Sequence, residues 1–566
     1  VANPSGIAPL GLDFLSLTFN ETGSFSGANA SPAVQSALHS ANLLHASDIQ
    51  PLRLYASGGD ITGVTLFSPK PAEILAGSDI TDVAFYVQNT KPESISVVSA
   101  GRDIILFNEN SALRSVAANL VAGNFIAEIP RPTVRKVGNG ATVTTLALAG
   151  DAQISGPGVL EVLAGRNLDL GTGANLADGT GVGIVSIGNF RNPALPFDGA
   201  DLIAFAGLGS RGGIGPALGL AGSSLDLSSF IQGFGTDATF QSAYLQRLGV
   251  SDLTGLSEEQ KSVVGLEIFF RRLRDAGRNH ATTGSYDAGL SAVSTLLANN
   301  SASGSLYTRA RDIRTSAIGS ITIGTASGGV TMASDIFGNP LTPPGIVTEY
   351  GGGVSIFTDQ SVNIGQARIF TLRGGDVLIW STNGDIAAGT APKTVVTAPP
   401  TRVTIDVTSA DVKTDLGGLA TGGGIGVLAS VAGVKAGDVD LVAPKGTVDA
   451  GDAGIRSTGN LNIAATTVLN ASNVQVGGST SGVSSGPSVA APNTSGLTQA
   501  GNQTASQNPT TNDPTGGRQR PEQPMVKEEP PSVFEIQVLG YGGGDGGTEE
   551  EERKKKQSQQ EGTAAP

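Results

Sequence analysis

The chain has 566 residues, with 80 glycines, no cysteine, 15% charged and 5% aromatic residues, and a net charge of −14. Lack of cysteine excludes disulfides, thiolate catalysis and Cys-ligated zinc, and an acidic chain without a basic stripe is a poor match for nucleic acid or an anionic lipid surface. So few large side chains cannot fill several ordinary globular cores, whereas a solenoid, in which each coil stacks small aliphatic residues on its neighbour, does not need them.

Residues 1–50 read as an entry segment, with an alternating stretch Leu15–Phe19 and a short helix expected at Pro32–His39. The chain opens Val1-Ala2-Asn3-Pro4, with no starting Met and no basic-then-apolar leader. A processed chain or a piece of a longer one is therefore expected. No uninterrupted apolar run is long enough for a membrane helix.

From Leu52 a phrase recurs: a small residue, glycine, a spacer, Asp or Asn, then an aliphatic residue. It stands at Ser57-Gly58-Gly59-Asp60-Ile61, Ala76-Gly77-Ser78-Asp79-Ile80, Ala100-Gly101-Arg102-Asp103-Ile104 and Ala164-Gly165-Arg166-Asn167-Leu168. Shorter forms follow at Gly375-Asp376-Val377, Gly384-Asp385-Ile386, Gly437-Asp438-Val439 and Gly459-Asn460-Leu461. Glycine and Asp/Asn tolerate the positive φ of tight turns, and the aliphatic residue restarts a strand. Return at roughly 20-residue intervals is the mark of a β-solenoid. At ~4.8 Å per coil the repeats predict a rod on the order of 80 Å long.

The pattern assigns 51–220 to a first β-helix part and 316–477 to a second. Between them, 221–315 reads as a helical insertion. There Ser257-Glu258-Glu259-Gln260 is a capping box and Val263, Leu266, Phe270 and Leu273 share one helix face, with Gly277 as the expected stop. Arg271, Arg272, Arg274 and Arg278 crowd that helix end, where cations complement the dipole and where an acidic glycan or partner is the alternative use. Phe240–Leu248 and Ala288–Ala298 are weaker helical candidates. Residues 478–566 form a Ser/Thr/Asn/Gln/Pro-rich tail expected to be disordered. It ends in the charged run Glu549–Lys556 and holds one strand-like island, Val533–Leu539.

Catalytic and metal-binding signatures are weak. The glycine-aspartate turns lack the nonapeptide consensus of calcium-binding repeats. Glu73, Asp79 and Asp82 are the only carboxylates singled out for a polysaccharide-cleaving β-helix enzyme, and solvated surface charge is the preferred reading of them. His39, His45 and His280 fit no ligand spacing. Gly422–Gly426 lacks the Lys-Ser/Thr ending of a phosphate loop, and no Gly-x-Ser-x-Gly elbow stands between strand and helix. Hence no catalytic, cofactor or metal residue is assigned, and the chain is read as a non-enzyme.

Ala100–Ile104, Ala164–Leu168, Leu195–Asp201, Gly374–Trp380 and Ala443–Ile455 together resemble the C-terminal part of filamentous-haemagglutinin-family exoproteins of Gram-negative bacteria, over roughly residues 50–476. The resemblance implies a mainly β protein, a right-handed parallel β-helix. It also implies export by a dedicated outer-membrane transporter in two-partner secretion, and a secreted or cell-surface location. Adhesion to a receptor or glycan on a host or neighbouring cell is the implied role. A carbohydrate-active β-helix enzyme and a passive stalk of a contact-dependent competition protein are the alternatives. The family's transporter-facing N-terminal domain, a signal peptide and a separate toxin domain are not evident.

Overall fold

A computed structural model describes residues 43–111, 150–173, 181–209, 219–335, 344–390, 423–428 and 434–483, apart from a few single positions, together with short strand backbones at 133–137, 141–145, 402–406, 411–415 and 537–538. The described residues form a parallel β-solenoid whose coils have three faces. In the second and third coils the chain runs through a long strand (Ala72–Ala76, Ile95–Ala100), a two-residue strand at the next corner (Ile80–Thr81, Ile104–Ile105) and a strand of a separate sheet (Ala84–Gln88, Asp151–Ser155). The long and two-residue strands belong to one 19-stranded sheet, and the third face is a ten-stranded sheet.

The recurring phrase builds this geometry by a route other than the expected one. Gly77, Gly101 and Gly165 do not have positive φ, nor do Asp60, Asp79 and Asp103. A Cβ at Gly77 would overlap the carbonyl of Ser57, one at Gly101 that of Gly77, and one at Gly165 that of Gly101. These glycines are required because successive corners stack backbone on backbone. The acid beside them is an inter-coil rung. Asp60 Oδ1 accepts from the Asp79 N–H at 2.9 Å, Asp79 from Asp103 at 3.0 Å, Asp103 from Asn167 at 2.9 Å, and Asn167 from Ser305 at 3.0 Å. A second corner repeats the device from Asp376 to Asp438 and from Asp438 to Asn460. Burial pushes the Asp103 carboxyl up, but the Arg166 guanidinium at 2.5 Å and the Asn167 N–H hold it below the usual range.

The aliphatic residue of each phrase enters an interior stack. Ile61, Ile80, Ile104, Leu168, Leu306, Val330, Val362, Ile386 and Val448 pair in register, all essentially buried. A parallel stack on the long face runs through Ile74, Val98, Val162, Ala204, Ile323, Ile356, Ile379, Leu441 and Ile463. Full burial of such a side chain contributes about 1.5–3 kcal/mol.

Ten long strands line this face, from Leu52–Ala56 to Leu461–Leu469. At ~4.8 Å per strand they span roughly 45 Å, shorter than the rod predicted from repeat spacing. Several coils carry excursions, so that consecutive rungs bridge 64, 119 and 62 residues instead of the 19 to 24 of uninterrupted coils. The 119-residue excursion is helical. Its helices are Ser228–Phe234, Ala243–Leu248, Glu258–Thr283 and Asp287–Leu296. The solenoid resumes at Leu306–Arg309 and Asp312–Thr315, inside the stretch the sequence pattern assigns to the insertion.

Other expectations shift in the same local way. Asp60–Phe67 is two strands, Ile61–Thr62 and Thr65–Ser68, bent at Gly63 with φ 74°. Thr480–Ser481 extends pairing past 477. Leu15–Phe19, Pro32–His39 and the charged tail run lie outside the described residues. The island at 533–539 contributes Gln537–Val538, which pairs in parallel with Thr404–Ile405 of the antiparallel strands 402–406 and 411–415.

Candidate functional site

The helical segment caps the outer surface of the long face. Its 26-residue helix, Glu258–Thr283, starts with the expected capping box at Ser257 and Gln260. It does not stop at Gly277 but at Gly284, which has φ 67° and donates its N–H to the His280 carbonyl. Gly277 instead allows close seating, since a Cβ there would overlap the side chain of Val442. At ~1.5 Å per residue the helix is roughly 39 Å long. Its N-terminal turn meets Glu93 and Glu161, and its far end meets Asp438, Asp440 and the strand Leu461–Leu469. It therefore runs along the stacking direction and covers most of the coils.

The interface is aromatic where the solenoid interior is aliphatic. Phe205, Phe357 and Trp380, all at most 1% exposed, point outward from the face against Phe230, Phe269, Phe270 and Leu273. Phe269 meets Phe357 edge to face at 5.4 Å. A Cβ at Gly289 would overlap the Trp380 ring, whose Nε1 donates to Thr382 Oγ1 at 3.1 Å.

Charges pin both ends. Arg278 reaches Asp440 at 2.8 Å and Asp438 at 3.1 Å, and Arg274 reaches Asp376 at 3.5 Å. Burial raises the Asp440 carboxyl even though Arg278 and Arg274 pull it down. Near the other end Arg247 forms a fork with Asp201. Glu161 and Glu259 meet beneath the first turn of the long helix, both accepting from the Leu220 N–H. Burial, then the neighbouring Glu259 charge, pushes Glu161 well up, and burial also raises Glu259. Glu267 is pushed up to about 7 by burial, against hydrogen bonds from Ser242 and from the Tyr244 N–H.

The four arginines read as a helix-end cluster thus divide. Arg274 and Arg278 bind the solenoid, while Arg271 and Arg272 line an outer cleft of about 510 Å³. Glu73, Asp79 and Asp82 do not converge. Glu73 accepts from Arg53 and Tyr55, Asp79 from Arg102 and the Asp103 N–H, and the buried Asp82 from the Asn108 N–H. His280 stacks on Tyr286 with ring centroids 3.9 Å apart, His45 lies exposed in a turn, and His39 is outside the described residues. Among the described residues no group of three or more His, Asp or Glu could hold a metal, and no helix is long and apolar enough to cross a membrane. Sequence reasoning missed the carboxyl pair and the aromatic seat on the long face. The one available signal for the seat was bulk: Phe205, Phe357 and Trp380 occupy outward positions in strands where small or polar residues are usual.

Parallel coils stacked through glycine corners, with a helical segment docked on one outer face, define a β-solenoid protein. Residues 374–485, which hold the last coils and the aspartates gripped by Arg274 and Arg278, match the family described as filamentous haemagglutinin family outer membrane protein. This stretch is a filamentous-haemagglutinin-family region, and that family description supports a secreted or cell-surface location. No curated protein and no solved structure matches the chain.

Proposed function

We propose that the chain mediates attachment to a neighbouring surface, that the solenoid acts as the rigid support, and that the helical cap carries the contact. The observation that favours this reading is the division of labour within the cap. One side is spent on the solenoid through aromatic packing and Arg274 and Arg278, while the other presents Arg271, Arg272 and an open cleft. Excursions from a repeat scaffold are the usual place for binding residues. The family match supports export through an outer-membrane two-partner secretion transporter, and a receptor or glycan on a host or neighbouring cell is the proposed contact.

Deleting 225–314 is an unsuitable test, because it removes the strands at 306–315 and bares Phe357 and Trp380. Point changes on the outer cap surface serve better. The full chain is immobilised and cell attachment is counted for Arg272→Gln/Asn279→Ala and for a control pair on a distant corner, Phe197→Ser/Tyr350→Ser. Phe197 is 45% exposed and meets Tyr350 edge to face at 5.8 Å. Loss with the cap pair alone supports the reading. Unchanged attachment with that pair, or loss with the corner pair, removes it. The carbohydrate-active alternative predicts reducing-sugar release from polysaccharides by the same preparation.

A further inference from the structure

The cleft on the outer side of the cap lies between the first short helix, the loop that follows it and the second half of the long helix. One wall is apolar: Phe234 and Phe240, both half-buried, meet edge to face at 5.7 Å. Two acids of the lining share one arginine. Asp237 pairs with Arg271, and Asp275 lies 3.6 Å from the same guanidinium. Arg271 also lies over the Phe240 ring, 5.3 Å from its centroid, and is thereby committed.

Arg272 is not. Its guanidinium lies 5.9 Å over the Phe230 ring and has no ion pair or hydrogen bond among the described residues. The side-chain amide of Asn279 is likewise without a hydrogen-bond partner there. Hydroxyls of Thr236, Thr283 and Ser285 complete the polar lining. An uncommitted planar cation, an uncommitted amide, several hydroxyls and an aromatic wall form a complementary set for one ligand chemistry. The fork of an arginine matches a carboxylate, hydroxyls and amide match ring hydroxyls, and an aromatic face takes the C–H side of a sugar ring. The volume falls within the range of small-molecule sites. Asp237 and Asp275 disfavour a dianion such as phosphate, so a single negative charge fits better.

We propose that this cleft binds a carboxylated sugar of hexuronate size, its carboxylate on Arg272 and its ring against Phe234 and Phe240. The proposal rests on the reading of the cap as the contact surface, and gives that surface a ligand class.

The test is calorimetric titration of the full chain with glucuronate, glucose and a Glu-Glu dipeptide. Glucuronate is expected to bind saturably, with glucose and the dipeptide at least about tenfold weaker. Arg272→Gln should weaken glucuronate at least about tenfold, as loss of a charged hydrogen-bonded pair does, and Arg272→Lys by less. The thermal midpoint should move little, because Arg272 holds no ion pair among the described residues and only a long contact over the Phe230 ring. The proposal is overturned if glucuronate does not bind, if Arg272→Gln binds it as the parent does, or if glucose or the dipeptide binds equally well. Should glucuronate bind in the expected way while Arg272→Gln attaches to cells normally, the sugar site stands and the cap is not the attachment surface. Should attachment depend on Arg272 with no glucuronate binding, the sugar site falls and the attachment reading stands.

Discussion

The solenoid interior and the cap seat are two apolar clusters separated by a single strand layer, and they are built from different residues. Among the described residues the interior is a stack of Ile, Val, Leu and Ala with one Met, and Phe85 is its only fully buried aromatic. The seat holds the only Trp, together with Phe205, Phe230, Phe269, Phe270, Phe357 and Tyr244. A coil interior accepts a side chain only if its neighbours in the coils above and below fit the same space, so one residue size propagates along the stack. A helix crossing a sheet leaves irregular gaps, which large flat rings fill. Repetition gives order in the first case, and individual shape gives it in the second.

The comparison predicts separable stabilities. The largest effect is expected for Trp380→Ala, which empties a fully buried site under the helices and should cost about 3–5 kcal/mol. Calorimetry should show the cap melting earlier with the solenoid transition in place. A single transition that moves as a whole would break the distinction. Next comes Glu267→Gln. Its carboxyl is held near 7 when folded, against the usual glutamate value of 4.5. The folded state therefore binds the proton more tightly, and cap stability is highest below about 4.5 and declines as pH rises toward about 7, by up to about 3 kcal/mol. Melting followed between pH 4 and 8 should show that slope in the parent chain and a flatter one in the glutamine variant.

Gly101→Ala is expected to cost about 1–3 kcal/mol, because the added carbon meets the Gly77 backbone. Its effect should fall on the solenoid transition alone. The smallest effect belongs to Asp103→Ala, which removes one rung and the Arg166 pair at a partly exposed corner and should cost about 1 kcal/mol. Faster hydrogen exchange at the Asn167 amide is its local signature.

How much of this was legible in the sequence follows from the same contrast. Coils were visible because each phrase restarts a strand, and Ile80 and Ile104 fall where the phrase puts them. The role of the glycines was not, since a glycine chosen for positive φ and one chosen for backbone contact look alike in a sequence. Gly277 misled for that reason: it marks the approach of Val442, more than 160 positions away, and not a helix end. The capping box at Ser257 was readable because its partners are three residues apart. The fates of Arg272 and Arg274 were not, because two positions along a helix lie on nearly opposite sides of it, and these point the first to a cleft and the second to Asp376.

The placement of the long helix also fixes an order of events. It leaves the chain in mid-sequence, yet its footprint includes Glu161 and Phe205 from earlier strands and Phe357, Trp380 and Val442 from later ones. While the polypeptide emerges from either terminus, half of that landing ground does not yet exist. The full seat therefore exists only once strands on both sides of the insertion have wound, and the docked helices tie the earlier coils to the later ones.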